Sequence, residues 1–456
     1  PPIVVNDVVI VGTSMPARAP SPEAPAAHIR GFDPRTGERK WIFHTIPQEG
    51  EFGNETWEED SWKYTGNTGV WTVMSADPEL GYVYLPVEAP TNDWYGGHRL
   101  GDNLYAESLV CLDAKTGERV WHFQLVHHTL FDYDPPAPPI LIDVEVDGRP
   151  IKAVVQVTKQ NFAFVFDRVT GEPVWPIVER EVPQSSVPGE RTSPTQPFPT
   201  KPPAYDVQEI SHEALIDLTP ELKAEAIRLI ENYTWGPVYT PPSVIEEDGN
   251  QGTIVMPGSQ GGSNWPSASV DIENGILFVT SNLAPQITGL RKPSPNRSMS
   301  RYQIWDGKPM PAPQGLPLLK PPWSKISAID LNKGEILWQI ANGEAPDWIK
   351  EHEALQGRGI DFSQMGSGGR GATLVTKSLL FAGEGSGLFN MMRDPGGPMF
   401  RAIDKMTGEV VSAFELPANQ SGVPMTYMLD GKQYIVVAVG ARNFPSELVA
   451  LTLPGR

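Results

Sequence analysis

Apolar and polar residues alternate along this chain in short bursts. "VVNDVVIVGTS", "SADPELGYVYLPV", "SVDIENGILFVTSN" and "LVTKSLLFAGEG" each set β-branched and aromatic residues on both sides of a polar turn, the pattern of two short hairpin-joined strands. A second pattern, Asp-x-x-Thr-Gly-x-x-x-Trp, follows such pairs: "DPRTGERKW" (Asp33 to Trp41), "DAKTGERVW" (Asp113 to Trp121) and "DRVTGEPVW" (Asp167 to Trp175). A fourth copy, "DLNKGEILW" (Asp330 to Trp338), carries Lys333 for threonine, and a fifth, "DKMTGEVVS" (Asp404 to Ser412), lacks the tryptophan. In each, an apolar strand ends at the aspartate, Thr-Gly makes a tight turn, and the next strand delivers a large flat side chain that packs between sheets. Together the two patterns predict a four-stranded antiparallel unit, and units repeated radially predict an all-β fold, a β-propeller of four-stranded antiparallel blades. About six units are legible, some incomplete; the final "QYIVVAVGARNFPSELVALTLP" reads as half of one.

The copies are unevenly spaced, with 163 residues between Asp167 and Asp330, so an insertion is expected there. Residues 178–206 are rich in proline, serine and threonine and read as a surface excursion. "LTPELKAEAIRLIENY" then predicts a helix, with Thr219 as N-cap, Pro220 in the first position, and Leu222, Ala226, Ile227 and Ile230 along one face. The domain expectation is one propeller-type unit over 1–456, with a Pro-rich and helical insertion at about 178–240.

Composition narrows the function classes. The chain has 456 residues, 39% of them apolar, with 43 glycines and 47 prolines, as a turn-rich globular protein should. A net charge of −19 disfavours nucleic acid and anionic membrane surfaces as partners. Cys111 is the single cysteine, so no intrachain disulfide and no cysteine-based zinc or haem site can form; it reads as a buried strand residue. No stretch approaches the ~18 apolar residues of a membrane span. The first residue is Pro1, which points to a leader or larger upstream piece.

The densest chemistry lies in "QLVHHTLFDYDPPAPP", Gln124 to Pro139. Two adjacent histidines rarely converge on one ion, so His127 and His128 read as orienting hydrogen-bonders. Asp132 reads from its neighbours either as a turn former before a proline-rich loop or as a general base. Lys159, in "VVQVTKQNFAFVFD", reads by itself as an exposed lysine at a strand end. Trp71, in "NTGVWTVMSADP", is by itself one of 13 tryptophans, most of them expected in sheet packing.

With "DSWKYTGNTGVW", "NDWYGGHR", "HHTLFDYD" and "GKQYIVVAVG", the chain from Pro1 to Pro454 resembles the pyrroloquinoline quinone (PQQ)-dependent dehydrogenases, especially the membrane glucose dehydrogenase branch. The resemblance implies an eight-bladed propeller with tryptophan docking motifs, of which about two N-terminal blades would be missing here. It implies PQQ on the central axis and oxidation of a sugar or alcohol by hydride transfer. Asp132 would be the general base and would also touch calcium; Lys159 would bond the reactive quinone oxygens. Trp71 would stack on the cofactor ring, and Ser14, Asn264 and Trp265 would line it. It further implies a periplasmic location, an external electron acceptor (a quinone or a separate cytochrome, there being no Cys-x-x-Cys-His), and a chain supplying the missing blades.

The calcium pattern is broken. The family places an acidic residue after a Gly-(Ser/Thr)-Ser turn and a side-chain oxygen before a proline; here those positions hold Ala17 and Ala89. Glu23 and Glu88 stand nearby but out of register. Calcium takes six to eight oxygens, and Asp132 with cofactor and water makes a thin site. The alanines favour a rival reading, a non-catalytic propeller scaffold or binding module; Asp132, Lys159 and Trp71 together favour the enzyme.

Overall fold

The computed structural model describes residues 1–15, 21–294, 296, 298–305, 309–387 and 392–453. Ala17 lies outside the described residues.

Each of the four predicted strand pairs forms, and each continues through an Asp-x-x-(Thr/Lys)-Gly turn into a four-stranded antiparallel meander. The first sheet comprises Ile3–Val5, Val8–Val11, Ile29–Phe32 and Arg39–Phe43; the second, Ser75–Asp77, Tyr82–Val87, Ser108–Asp113 and Arg119–Gln124. The fourth comprises Ala268–Asp271, Ile276–Asn282, Ser324–Asp330 and Glu335–Ala341; the fifth, Thr373–Val375, Leu379–Gly383, Met399–Asp404 and Val410–Glu415. The third sheet has three strands, Ile140–Val146, Arg149–Val157 and Ala163–Asp167, and a single bridge between Phe166 and Pro173 where a fourth would run. Pro173 and Pro176 in "GEPVWP" have no N–H to give a ladder, which explains the loss. The last sheet, Met425–Leu429, Lys432–Ala441 and Phe444–Thr452, also has three strands.

Apolar faces join these sheets in sequence. Val8, Ile10 and Trp41 pack with Val83, Leu85 and Leu112 between the first and second sheets. Cys111, Leu109 and Trp121 pack with Val154, Phe164 and Phe166 between the second and third, so Cys111 is the buried strand residue expected. Further apolar clusters link third to fourth, fourth to fifth and fifth to last. The last sheet leaves Met425, Met428, Leu429 and Leu448 exposed.

The repeated turns carry the joints. In all five copies the aspartate carbonyl accepts from the glycine N–H four residues on, at 2.8–2.9 Å, and every one of those glycines has a φ between +67° and +79°. Each surviving tryptophan lies over the glycine of the next copy. A Cβ on Gly117 would meet Trp41 at 2.5 Å, one on Gly171 would meet Trp121 at 2.6 Å, and those on Gly334 and Gly408 would meet Trp175 and Trp338 at 3.1 and 3.0 Å. Three of the indoles donate to a carbonyl of that next turn: Trp41 to Ala114 (3.1 Å), Trp121 to Arg168 (3.2 Å) and Trp338 to Lys405 (3.2 Å).

The insertion is more structured than its composition suggests. Ile177–Glu181 pairs with Thr195–Pro199 in an antiparallel hairpin, and Val187, Gln196 and Tyr205 are buried. The helix runs from Pro220 to Ile230; Thr219 Oγ1 accepts from the Leu222 N–H, and Leu222, Ala226 and Ile230 are buried. It packs with Ile254, Met256, Leu318 and Trp323. A mixed five-stranded sheet of very short strands (Thr234–Trp235, Ser243–Val244, Thr253–Val255, Gln286–Arg291, Gln303–Trp305) follows; the sequence reading did not anticipate it. Runs of two or three residues are too short to show alternation. No helix among the described residues is long and apolar enough to cross a membrane.

Candidate active site

At the end of the sheets away from the aspartate turns, loops converge on one lysine. Lys159 follows the strand Arg149–Val157 and is buried. Its ammonium donates to the Asp132 carbonyl at 2.6 Å, to Asp132 Oδ1 at 2.8 Å and to Asp134 Oδ2 at 3.2 Å. Trp71, half-buried in the loop before Ser75–Asp77, donates its indole N–H to the same Asp134 Oδ2 at 3.2 Å. Asp134 Oδ1 accepts from the Ala89 N–H at 2.8 Å. Ser14 Oγ donates to Glu88 Oε2 at 2.9 Å. Asp132, Lys159 and Trp71, far apart in sequence, thus share one hydrogen-bonded network, with Ser14 reaching the neighbouring Glu88.

Asn264 and Trp265 stand one step away. Their loop leans on Lys159 through its backbone: Gly262 N–H donates to the Lys159 carbonyl at 3.0 Å, and Asn264 Nδ2 donates to Gln260 O at 2.9 Å. Arg370 donates to the carbonyls of Gln260 and Gly261 at 3.0 and 2.9 Å, fixing the loop from the far side. No hydrogen bond joins the Asn264 or Trp265 side chain directly to Lys159 or Asp132 among the described contacts.

Four further acids matter that the sequence reading either missed or set aside. Asp134 could have been found, since it sits two residues after Asp132 in the same short loop. Glu88, Asp93 and Glu107 are buried along the single connection between Tyr82–Val87 and Ser108–Asp113, with no spacing signal. Glu107 Oε1 accepts from the Tyr133 N–H at 2.7 Å, between the two aspartates. Burial, then the negative charge of Asp134, pushes Glu88 and Glu107 well above the usual carboxylate range; burial and Asp132 do the same to Asp93. Asp132 is pushed up to about 8, burial outweighing the pull of Lys159. Asp134 is held below its ordinary value: burial opposes ionisation, but Lys159 and the Ala89 N–H outweigh it. Lys159 in turn is held above its ordinary value by Asp132 and Asp134 despite its burial. Lys159 thus favours the charged form of Asp134, while burial works against that of Asp132.

The backbone here is held in unusual conformations. Asn67, Thr68, Asn103, Glu107, His128, Asp132 and Asn161 all have φ between +42° and +69°. Each non-glycine residue so placed costs on the order of 1–3 kcal/mol, which the surrounding packing must offset. Such outliers gather at functional sites. Arg99, wholly buried, holds two of the loops together by donating to Asn92 O and Thr129 O, both at 2.8 Å.

The donor chemistry suits a hard cation. Glu88 Oε1, both oxygens of Asp93 and Glu107 Oε2 are buried without a hydrogen-bond partner, and carboxylate oxygens are what calcium takes. The side chains alone do not build the cage: among the described residues no group of three or more His, Cys, Asp or Glu stands close enough to hold an ion. Ala89 gives its N–H to Asp134, and its carbonyl accepts from Asn67 Nδ2 at 2.9 Å.

A family profile described as glucose/ethanol/alcohol dehydrogenase, beta-propeller domain, under the heading PQQ, matches residues 1–435. The quinoprotein glucose dehydrogenase of Escherichia coli (strain K12) is 30% identical over 470 residues, covering 97% of this chain and 55% of that protein. The glycerol dehydrogenase large subunit of Gluconobacter oxydans (strain 621H) is 30% identical over 493 residues, covering 100% of this chain and 63% of that protein. The chain thus spans a little over half the length of these relatives. Among solved structures, the quinohemoprotein alcohol dehydrogenase of Comamonas testosteroni superposes with a TM-score of 0.64 at 21% identity, over 100% of this chain and 60% of that one. That similarity shows the fold.

Proposed function

This chain belongs to the PQQ-dependent glucose, ethanol and alcohol dehydrogenase β-propeller family, and from that premise we propose that it oxidises the hydroxyl of a sugar or alcohol, with Asp132 as general base. The observation that carries the proposal is the junction of Trp71, Asp134, Lys159 and Asp132 in one buried network. PQQ, when bound, supplies the quinone that accepts a hydride from the carbinol carbon. Asp132 takes the hydroxyl proton on its carboxylate, which needs the substrate oxygen within ~3 Å. Lys159 offers a fixed positive charge where negative charge develops, in a site from which water is largely excluded. Trp71, steadied through its N–H, would offer its ring to the cofactor, and Ser14, Asn264 and Trp265 would line the surroundings. Asp132 is the side chain that would touch calcium, with cofactor and water oxygens completing the shell, since no three described acids stand close enough to hold the ion by themselves; the ion would supply positive charge to the site.

The six consecutive sheets read as blades, with Trp41, Trp121, Trp175 and Trp338 as their docking residues. The exposed apolar side chains of the last sheet are what further blades, in this or another chain, would cover. We place the protein in the periplasm, passing electrons to a quinone or a separate cytochrome. The domain reading remains one propeller unit over 1–456.

Dye-linked oxidation tests the proposal. Protein reconstituted with PQQ and calcium should reduce an artificial acceptor in the presence of a sugar or alcohol, and more slowly when calcium is chelated. Absence of turnover across sugars, polyols and simple alcohols at saturating PQQ and calcium would leave the scaffold reading, which the missing side-chain oxygen at Ala89 favours.

A further inference from the structure

The proline-rich segment 178–206 does not run free over the surface; it closes on the loop that carries Asp132. Three of its side chains grip the adjacent histidines. Gln196 pairs with the His127 backbone in both directions, accepting from its N–H at 2.8 Å and donating to its carbonyl at 2.7 Å. Glu179 meets His127 Nε2 at 3.1 Å in a half-exposed contact. Glu190 meets His128 Nε2 at 2.7 Å, with both side chains only 1% exposed, and accepts from the Gly96 N–H at 2.6 Å. His128 Nδ1 faces the Gly101 carbonyl at 2.7 Å.

A carbonyl only accepts, so Nδ1 donates; Nε2 faces a carboxylate held below its ordinary value, because His128, the Gly96 N–H and Arg99 outweigh the burial that opposes its ionisation. The Glu190–His128 contact is thus buried on both sides, with Nδ1 committed to the Gly101 carbonyl. The aromatic side of the same hairpin reaches the other half of the loop. Phe198 packs edge-on against Tyr239, which packs edge-on against Phe131 and Tyr133 on either side of Asp132.

What is gripped is a strained turn: His128 has φ +42° and Asp132 φ +54°. Neither residue would hold that conformation without outside restraint. Resting on the reading of Asp132 as base, we infer that the 178–206 segment is a brace built to position it, and that Glu190 is a positioning residue acting through His128. Glu190 does not reach the reacting atoms; it fixes the first turn of the loop whose fourth residue onward is Asp132.

The test pairs turnover with hydrogen exchange. Glu190→Gln keeps the shape and removes the charge. It should lower kcat by about 10- to 100-fold, leave KM within about threefold, and raise amide exchange in peptides covering 125–134 but not in the distant fourth and fifth sheets. Glu190→Asp, which keeps the charge, should recover part of kcat. His128→Gln combined with Glu190→Gln should be no worse than the poorer single variant, since the two act as one unit. Glu181→Gln, exposed on the same hairpin strand, serves as the control with unchanged kcat. The inference is overturned if Glu190→Gln keeps kcat within twofold, or if exchange rises throughout the protein as it would for a general loss of stability. Exchange is read without turnover, so a rise confined to 125–134 supports the brace even in a protein that oxidises nothing, whereas wild-type kcat in Asp132→Asn overturns the base reading alone.

Discussion

Aspartates at the two ends of this molecule do opposite things. At the turn end, Asp33, Asp113, Asp167 and Asp404 each accept two N–H groups of their own turn on Oδ1, at 2.8–3.1 Å, and Asp330 accepts one at 2.8 Å. Asp33 and Asp404 are held below their ordinary values by those N–H groups. Each such carboxylate satisfies backbone that would otherwise be orphaned, close to water, and each recurs because the turn recurs. At the other end, Asp93 has no partner for either oxygen, and Asp132 is bonded to a lysine from another sheet and pushed up to about 8. Nothing in a local turn requires these acids. The same side chain builds the fold where it finds its own backbone and is free for chemistry where it does not.

That contrast can be broken in order of effect. Asp132→Asn should lower the dye-linked rate by roughly 10²- to 10⁴-fold while leaving the unfolding midpoint nearly unchanged; a rate within threefold of wild type would place Asp132 with the turn formers. Lys159→Met removes the counter-charge of a buried acid and should cost about 3–5 kcal/mol in denaturant unfolding, partly offset if Asp134 takes up a proton. Gly171→Ala puts a Cβ at φ +79° and within 2.6 Å of the Trp121 indole. It should destabilise by more than the ~1–2 kcal/mol of the left-handed conformation alone. Asp113→Ala loses two turn hydrogen bonds and should cost about 1–2 kcal/mol with no change in turnover. If Asp113→Ala reduced turnover as much as Asp132→Asn, the division between the two ends would fail.

The fold end was legible because its signals are local. Asp and Gly at fixed offsets specify a turn in all five copies, and in four of them a tryptophan four residues after the glycine packs against the equivalent glycine of the next copy. The repeat also explains where prediction weakens: Pro173 and Pro176 remove the N–H groups the fourth strand of the third sheet needs. The site end was legible only in part. Asp132, Lys159, Trp71 and Ser14 were found through resemblance to a family, not through spacing. Asp134 was visible in "FDYD" as a second acid beside Asp132. Glu88 was seen only as out of register, and Asp93 and Glu107 not at all, because their meaning lies in being buried, which the folding of the long connection after Tyr82–Val87 decides. Glu190 was the least legible, since composition marks its surroundings as a surface loop and only tertiary contact with His128 shows otherwise.

The most direct measurement is a titration of PQQ into the metal-loaded protein, followed by quenching of tryptophan fluorescence, with Asp113→Ala and Lys159→Met run alongside. One saturable equivalent should bind wild type and Asp113→Ala with the same affinity, and Lys159→Met should bind at least about tenfold more weakly, as expected for the loss of a hydrogen bond to a charged group. Absence of saturable binding to the wild type, or equal binding by the Lys159→Met variant, would contradict the assignment of the Trp71–Asp134–Lys159–Asp132 network as the cofactor site.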